Sequence, residues 1–571
     1  MHVGLRSQRI TVCPATCHSR KYLSSHVPAN SVAGILRIRQ LTGASKSLAH
    51  GAGLTAPVTS PDSVPDSSST NGFDPEALAS AAGVRRVVHC GPTPLGRGLV
   101  APHALERQAI VSVPLQNTLV ITDEPLSGIS IFGDRCQALW QEHHGPLPQQ
   151  LLDFLTGDAR WDVRMTAWLL WVASELPDSP VWGPYLESLP PAEEVTCLLN
   201  YAPDDARELQ FKELVEEART QHSWGLSVHR DYFDGERGEL RQLGLATRAV
   251  DTLWAMSMVR TRTFSEDVNG EALTLMVPYA DMANHSFTFN ATFCMARDNK
   301  RFELRLLYPL SPGEEATICY GESKPNFEVM RDYGFVVPSN PNDRVTGLPN
   351  QDTLPPLNGA SLLEALGLKG DWREGAAKLL PKAAPMDAAP GDPASQLALA
   401  RKRNVILSMK LSDGFPASSG GGGLFGGWPG AKSWTAAGRP PPQSLRGGAA
   451  AVTAERASVA AVRQSYQAAL DELPTSIEED EAILQAAAVR QQCEKEVVSS
   501  SGEGAKAGTG AGAGEDVAAA AAAVAALPPP PSSPLRLAAV RCRLEHKLLL
   551  REAVLALDVY DKWLDERQWL R

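Results

Sequence analysis

The first 61 of the 571 residues contain no aspartate or glutamate; the first acid is Asp62. The chain as a whole is acidic, with a formal net charge of −11, so this gap is a local feature. The same stretch carries Arg6, Arg9, Arg20, Lys21, Arg37, Arg39 and Lys46 among many Ser and Thr. Basic, hydroxylated and acid-free is the makeup of an organelle transit peptide, and the lack of a long apolar core argues against a secretory signal. No apolar run anywhere reaches the ~18 residues of a membrane span; residues 517–527 come nearest and are nearly all alanine. The nine cysteines form no CxxC pair. That leaves neither a zinc ribbon nor a disulfide framework and points to a reducing compartment. With no domain-wide basic stripe, nucleic acid is not an expected partner.

The composition, 43% hydrophobic and 21% charged, is that of a globular protein, and the length suits two to four domains. Residues 1–61 read as the transit segment and 62–83 as a joint, rich in Pro, Ser and Asp around 61–72. Residues 84–345 read as a β-rich unit split by a helical insertion at about 136–260. Val84–His89, Ala109–Val113, Leu273–Val277, Phe302–Leu306 and Ala316–Tyr320 are its strand candidates, with Gly96–Arg97–Gly98 between the first two. Within the insertion Trp161, Met165, Trp168, Leu169, Val172 and Leu176 recur at helical spacing, which makes these tryptophans core residues. Residues 346–571 read as helical, interrupted by low-complexity stretches at 413–450 and 499–534 that bury too little apolar surface to fold. Ser476 with Glu479 is a capping box that starts a helix. The expected class is therefore α+β, a β-rich domain followed by an all-α region.

Four short stretches carry candidate chemistry, and each alone is weak. Gly96-Arg97-Gly98-Leu99 has no following helix to hold a phosphate. Arg260-Thr261-Arg262-Thr263-Phe264 is a basic pair before a strand. In Pro278-Tyr279-Ala280-Asp281-Met282-Ala283-Asn284-His285-Ser286, the i, i+4 pair Asp281 and His285 suggests a metal, yet the proline start favours a turn and no third ligand is near, so no metal is expected. Gly313-Glu314-Glu315 reads as a solvated turn before a strand, and leads into Tyr320-Gly321, Asn326 and Tyr333-Gly334-Phe335.

Together and in this order, these stretches resemble the SET-domain methyltransferases, most closely the branch typified by the Rubisco large-subunit lysine methyltransferase. The resemblance covers about residues 84–345. Leu473–Glu481 and the Arg541, Arg543, Glu545, Lys547 run are similar to the substrate-binding C-terminal domain of that branch, with His546 where a lysine is expected. It implies a knot-like crossing of the Asn284 and Tyr320 segments and a transfer of methyl groups from S-adenosyl-L-methionine to a protein lysine. By the same resemblance Tyr320 is catalytic. Arg97, Gly98, Leu99, Arg262, Asn284 and His285 contact the cofactor, Gly98 by close backbone approach and Arg262 at its methionine end. Phe264, Asp281, Tyr333 and Phe335 contact the substrate. The partner is a protein carrying the target lysine, with no membrane, and the enzyme a monomer. The leader and the branch point to the chloroplast stroma, with mitochondrion or cytosol as alternatives, and to substrates such as Rubisco large subunit or aldolase. Two rivals stay open: a non-catalytic SET scaffold that binds a protein, and a histidine-directed methyltransferase of the same fold.

Overall fold

The computed structural model describes residues 73–122, 131–245, 248–338, 340–367, 401–402, 404–406, 408–412, 448–502 and 533–569. The expected transit segment and most of the two low-complexity stretches lie outside the described residues. The joint expected at 62–83 ends sooner than the sequence suggests. Pro75–Ala81 is a helix, begun by the Asp74 side chain accepting from the Glu76 amide with Pro75 in the first turn. Leu78 on it and Ala82 just after it are fully buried.

Among the described residues, ten strands form three small antiparallel sheets. One has the order β1 (Arg85–Arg86), β4 (Ala109–Pro114), β9 (Arg301–Leu306), β8 (Ala291–Met295). The second is β10 (Glu315–Ala316), β3 (Gly96–Val100), β2 (His89–Thr93). The third is β5 (Leu119–Thr122), β7 (Glu271–Met276), β6 (Thr263–Val268). The single strand expected at Val84–His89 is two, because β1 pairs with β4 and β2 with β3, and the chain changes sheet between them. β2 contains Gly91 and Pro92, which disguise it in sequence. It lies at the end of its sheet's order, where a proline's missing N–H breaks no ladder. Gly96–Gly98, between the first two strand candidates, is the start of the central strand of that sheet. The strand expected at Ala316–Tyr320 is shorter: after β10 only an isolated parallel bridge, His285 to Ile318, continues it.

The helical insertion runs from the Ile131–His144 helix to the Ala249–Arg262 helix. It leaves from β5 and returns into β6, and both strands pair with β7, so the insertion is anchored at two neighbouring points of one sheet. Trp168 is fully buried on the Trp161–Glu175 helix and packs edge-on against Trp140 at 5.4 Å.

The C-terminal region is helical, with Ala449–Asp471, Ile477–Gly502 and Pro534–Trp569 as its long elements. The capping box forms: the Ser476 amide donates to Glu479 Oε2 at 2.7 Å and the Glu479 amide to Ser476 Oγ at 3.1 Å. The closing helix, Pro534–Trp569, also covers the insertion. Its Leu535, Ala539 and Cys542 share a core with Leu198, Tyr201, Leu209 and Leu214.

Charge is buried along with this apolar seam. Asp480, with a fully buried side chain, accepts from Arg543 Nε at 2.9 Å and from Lys547 Nζ at 2.6 Å, while Arg543 Nη1 donates to Glu208 of the insertion at 2.8 Å. Burial pulls the Lys547 ammonium below its ordinary range, against the opposing pull of Asp480. Two cations and two carboxylates balance, and removing one anion leaves a cation unpaired in a dry site. Asp480→Asn is expected to cost about 3 kcal/mol. The readout is a lower urea midpoint at unchanged slope, and a midpoint equal to wild type would contradict the assignment.

Candidate active site

The site is assembled where residues 283–286 run beside residues 315–320. The Ile318 amide donates to the Asn284 carbonyl at 2.9 Å and the Ser286 amide to the Ile318 carbonyl at 3.0 Å. The Tyr320 amide donates to His285 Nδ1 at 3.1 Å. β10 meanwhile pairs with Val100 and Leu99 of β3, so three stretches far apart in sequence converge. The segment before Asn284 is bent sharply. Tyr279 takes φ +71°, a conformation L-residues rarely adopt, and a short turn over Ala280–Met282 follows. The buried Tyr279 ring lies 5.4 Å beneath the Arg86 guanidinium.

Tyr320 sits at the centre of an aromatic group. Its ring centroid is 5.0 Å from Tyr333, 5.2 Å from His285 and 6.3 Å from Phe335. Its hydroxyl donates to the Ala283 carbonyl at 2.8 Å, and the Tyr333 hydroxyl donates to the Tyr320 carbonyl at 3.0 Å. Tyr333 ends the Asn326–Tyr333 helix, and Gly334 turns the chain at φ +81°, where a Cβ would stand 2.4 Å from the Cys197 amide nitrogen. Only glycine fits there. Burial pushes the Tyr320 phenol up to about 12 and the Tyr333 phenol higher still. Both therefore stay protonated at physiological pH.

A second, buried group lies behind the first. Asp281 Oδ2 accepts from Arg262 Nη1 at 3.1 Å and from the Tyr185 hydroxyl at 3.0 Å. Among the described residues its other oxygen, Oδ1, is buried without a partner. Burial holds this carboxyl above its usual range, against the pull of Arg262. Arg262 is the last residue of its helix and Asp281 follows β7, so the neighbouring strands β6 and β7 set their separation.

The structure brings Tyr320, Tyr333, Phe335, Asn284 and His285 together, with Asp281 on the segment just before Asn284 and paired with Arg262 from the end of the insertion's last helix. Gly98 and Leu99 reach the convergence through β3. Arg97 shares that strand; its carbonyl accepts from Asn284 Nδ2 at 3.0 Å and its guanidinium donates to the Ser188 carbonyl. Phe264 is placed differently. Its ring contacts are Phe302 at 4.7 Å and Phe293 at 5.1 Å, within the core. Two contributors escaped the sequence reading. Tyr185 lies 96 residues from Asp281 inside the insertion, with no spacing to betray it. Glu315, read as part of a solvated turn, accepts from Asn284 Nδ2 at 2.7 Å. Its neighbour Glu314 is the true turn residue, accepting from the Ser311 amide at 2.9 Å.

No family model matches the chain. It is 30% identical over 210 residues to the protein Plastid Transcriptionally Active 14 of Arabidopsis thaliana, covering 35% of this chain and 43% of that protein. It is 28% identical over 264 residues to SET domain-containing protein 4 of Homo sapiens, covering 43% and 53%. It is 27% identical over 188 residues to the chloroplastic Rubisco large subunit N-methyltransferase of Nicotiana tabacum, covering 30% and 36%. The chain thus spans about half the length, or less, of these curated relatives. A solved structure of Rubisco LSMT bound to AdoMet aligns over 86% of this chain and 92% of that one, with a TM-score of 0.40 and 19% identity.

The His285 imidazole, which accepts from the Tyr320 amide, is neutral in the fold, because burial lowers its pKa from an ordinary 6.5 to about 4. Its folded value lies below its unfolded one, so the unfolded chain binds more protons between those values and stability falls as pH drops through that window. The loss between pH 6.5 and 4 is expected to be about 2 kcal/mol smaller in His285→Gln than in wild type. Urea unfolding at several pH values measures it, and parallel curves for the two proteins would refute the assignment.

Proposed function

We propose that this chain is an S-adenosylmethionine-dependent protein-lysine N-methyltransferase that acts on a plastid protein, such as Rubisco large subunit or aldolase. The observation that carries the reading is the Tyr320 hydroxyl seated on the Ala283 carbonyl, next to the Asn284–His285 pair and walled by Tyr333 and Phe335. The residues suit the donor's charged end. Arg262 offers a cation to a carboxylate, Asp281 keeps a buried oxygen without a donor among the described residues, and Asn284 turns its amide nitrogen toward the protein. When bound, S-adenosylmethionine supplies the methyl group on a sulfonium.

The chain's own residues then handle the amine. Only about 0.4% of a free lysine is neutral at pH 8. A narrow aromatic channel strips water from the ammonium and lowers its pKa. The Tyr320 proton is committed to the Ala283 carbonyl, so the phenol oxygen faces the amine as an acceptor and aims its lone pair. The phenol's high pKa removes it as a general base; its work is alignment, which makes a two-body displacement local. The proton leaves the lysine for solvent before attack. Plastid residence rests on the acid-free leader and on the plastid relatives.

Calorimetry with S-adenosylmethionine, followed by incubation of the full chain with radiolabelled S-adenosylmethionine and stromal extract, tests this. Wild type is expected to bind the donor and label a protein band on lysine. Tyr320→Phe is expected to bind equally and to label about 100-fold more slowly. Absence of donor binding would leave the chain a protein-binding scaffold, and label on histidine would move it to the histidine-directed reading.

A further inference from the structure

Glu315 does more than close a turn. Its carboxylate Oε1 takes one hydrogen of the Asn284 amide nitrogen at 2.7 Å, and the Arg97 carbonyl takes the other at 3.0 Å. Both neighbours are acceptors, so the amide orientation is fixed by chemistry: nitrogen inward, Oδ1 outward. Among the described residues no donor reaches that Oδ1. The Glu315 carboxylate can stand there only because residue 98 has no side chain. A Cβ on Gly98 would lie 2.2 Å from Glu315 Oε1, 2.8 Å from Asn284 Nδ2 and 2.9 Å from Thr93 Cγ2. The pairing of Glu315 with Val100 in register fixes the carboxylate's height along β3. Gly98, Asn284 and Glu315, from three separate stretches, therefore form one clasp, in which the glycine makes room for a protein carboxylate and not only for a ligand.

We propose that Glu315 is a positioning residue: by locking the Asn284 amide it presents a bare carbonyl oxygen, and that oxygen receives the α-ammonium of the donor's amino-acid end. The proposal rests on the methyltransfer reading of the site. An amide held by the Arg97 carbonyl alone could turn its nitrogen outward and offer N–H to the ammonium, a repulsive contact. The locked amide offers only an acceptor, so the clasp discriminates ligands that carry an ammonium from those that do not. An acid at 315 is suited to this because it cannot itself donate to Asn284 when ionised.

The test compares two ligands by calorimetry on the full chain: S-adenosylhomocysteine, and its desamino analogue in which hydrogen replaces the amino group. Glu315→Ala is expected to weaken S-adenosylhomocysteine roughly 10-fold or more, the scale of one hydrogen bond to a charged group. The same variant is expected to change the analogue less than about two-fold. Glu315→Gln, which can still offer a carbonyl oxygen to Asn284, is expected to restore most of the affinity. Gly98→Ala displaces the carboxylate from the other side and is expected to reproduce the selective loss, so it carries the test if Glu315→Ala does not fold. Equal losses on both ligands would mean a merely structural role and overturn the proposal while leaving the methyltransfer reading intact. Failure of wild type to bind S-adenosylhomocysteine would overturn both.

Discussion

The contact between residues 284–286 and 318–320 is what the rest of the site stands on. His285 and Tyr320 are 35 residues apart along the chain, and a backbone N–H donated into an imidazole nitrogen joins them. That bond requires a neutral ring, and burial keeps the ring neutral. The amide–carbonyl bonds on either side fix the register, so the phenol lands on the Ala283 carbonyl and nowhere else. Slipping this pairing by one residue would turn Tyr320 away from its neighbours, as it would for any extended segment. The geometry of the candidate site is a register, held by a handful of backbone bonds and defended by dry surroundings.

Around that register the fold spends its strain and its buried charge sparingly. Tyr279 holds an unfavourable backbone at the head of the Asn284 segment, and a fully buried ring holds it there. The Arg262–Asp281–Tyr185 group draws one partner from the insertion, one from the end of its last helix and one from the segment beyond β7. The insertion is thus tied into the site that it interrupts. On the far side, Asp480, Arg543, Lys547 and Glu208 join the C-terminal helices to the same insertion.

Much of this was legible in the residues. The Ser476–Glu479 box, the Trp161–Leu176 periodicity and the alternation through Phe302–Leu306 are local, and local rules read them. The order of Asp281, Asn284, His285, Tyr320 and Tyr333 carried the family resemblance. What stayed hidden was set by distant partners. Gly98 is a glycine because of Glu315 and Asn284, neither of them near it in sequence. Tyr185 matters because of Asp281. Phe264 stands next to Arg262 in a suggestive motif, yet strand alternation turns its ring into the core with Phe293 and Phe302. β2 was masked by Gly91 and Pro92, a pair that a strand at the end of its sheet's order tolerates.

The closing helix has a consequence for how the protein is made. Tyr201 donates its hydroxyl to the Leu535 carbonyl, 334 residues further on. A ribosome adding about 5–20 residues per second needs roughly 17 to 67 seconds to cover that stretch. Throughout that interval the oily surface of Leu198, Leu209 and Leu214 emerges from the exit tunnel with its cover still unsynthesised. Until its last helix arrives, that surface lacks the cover it has in the finished fold.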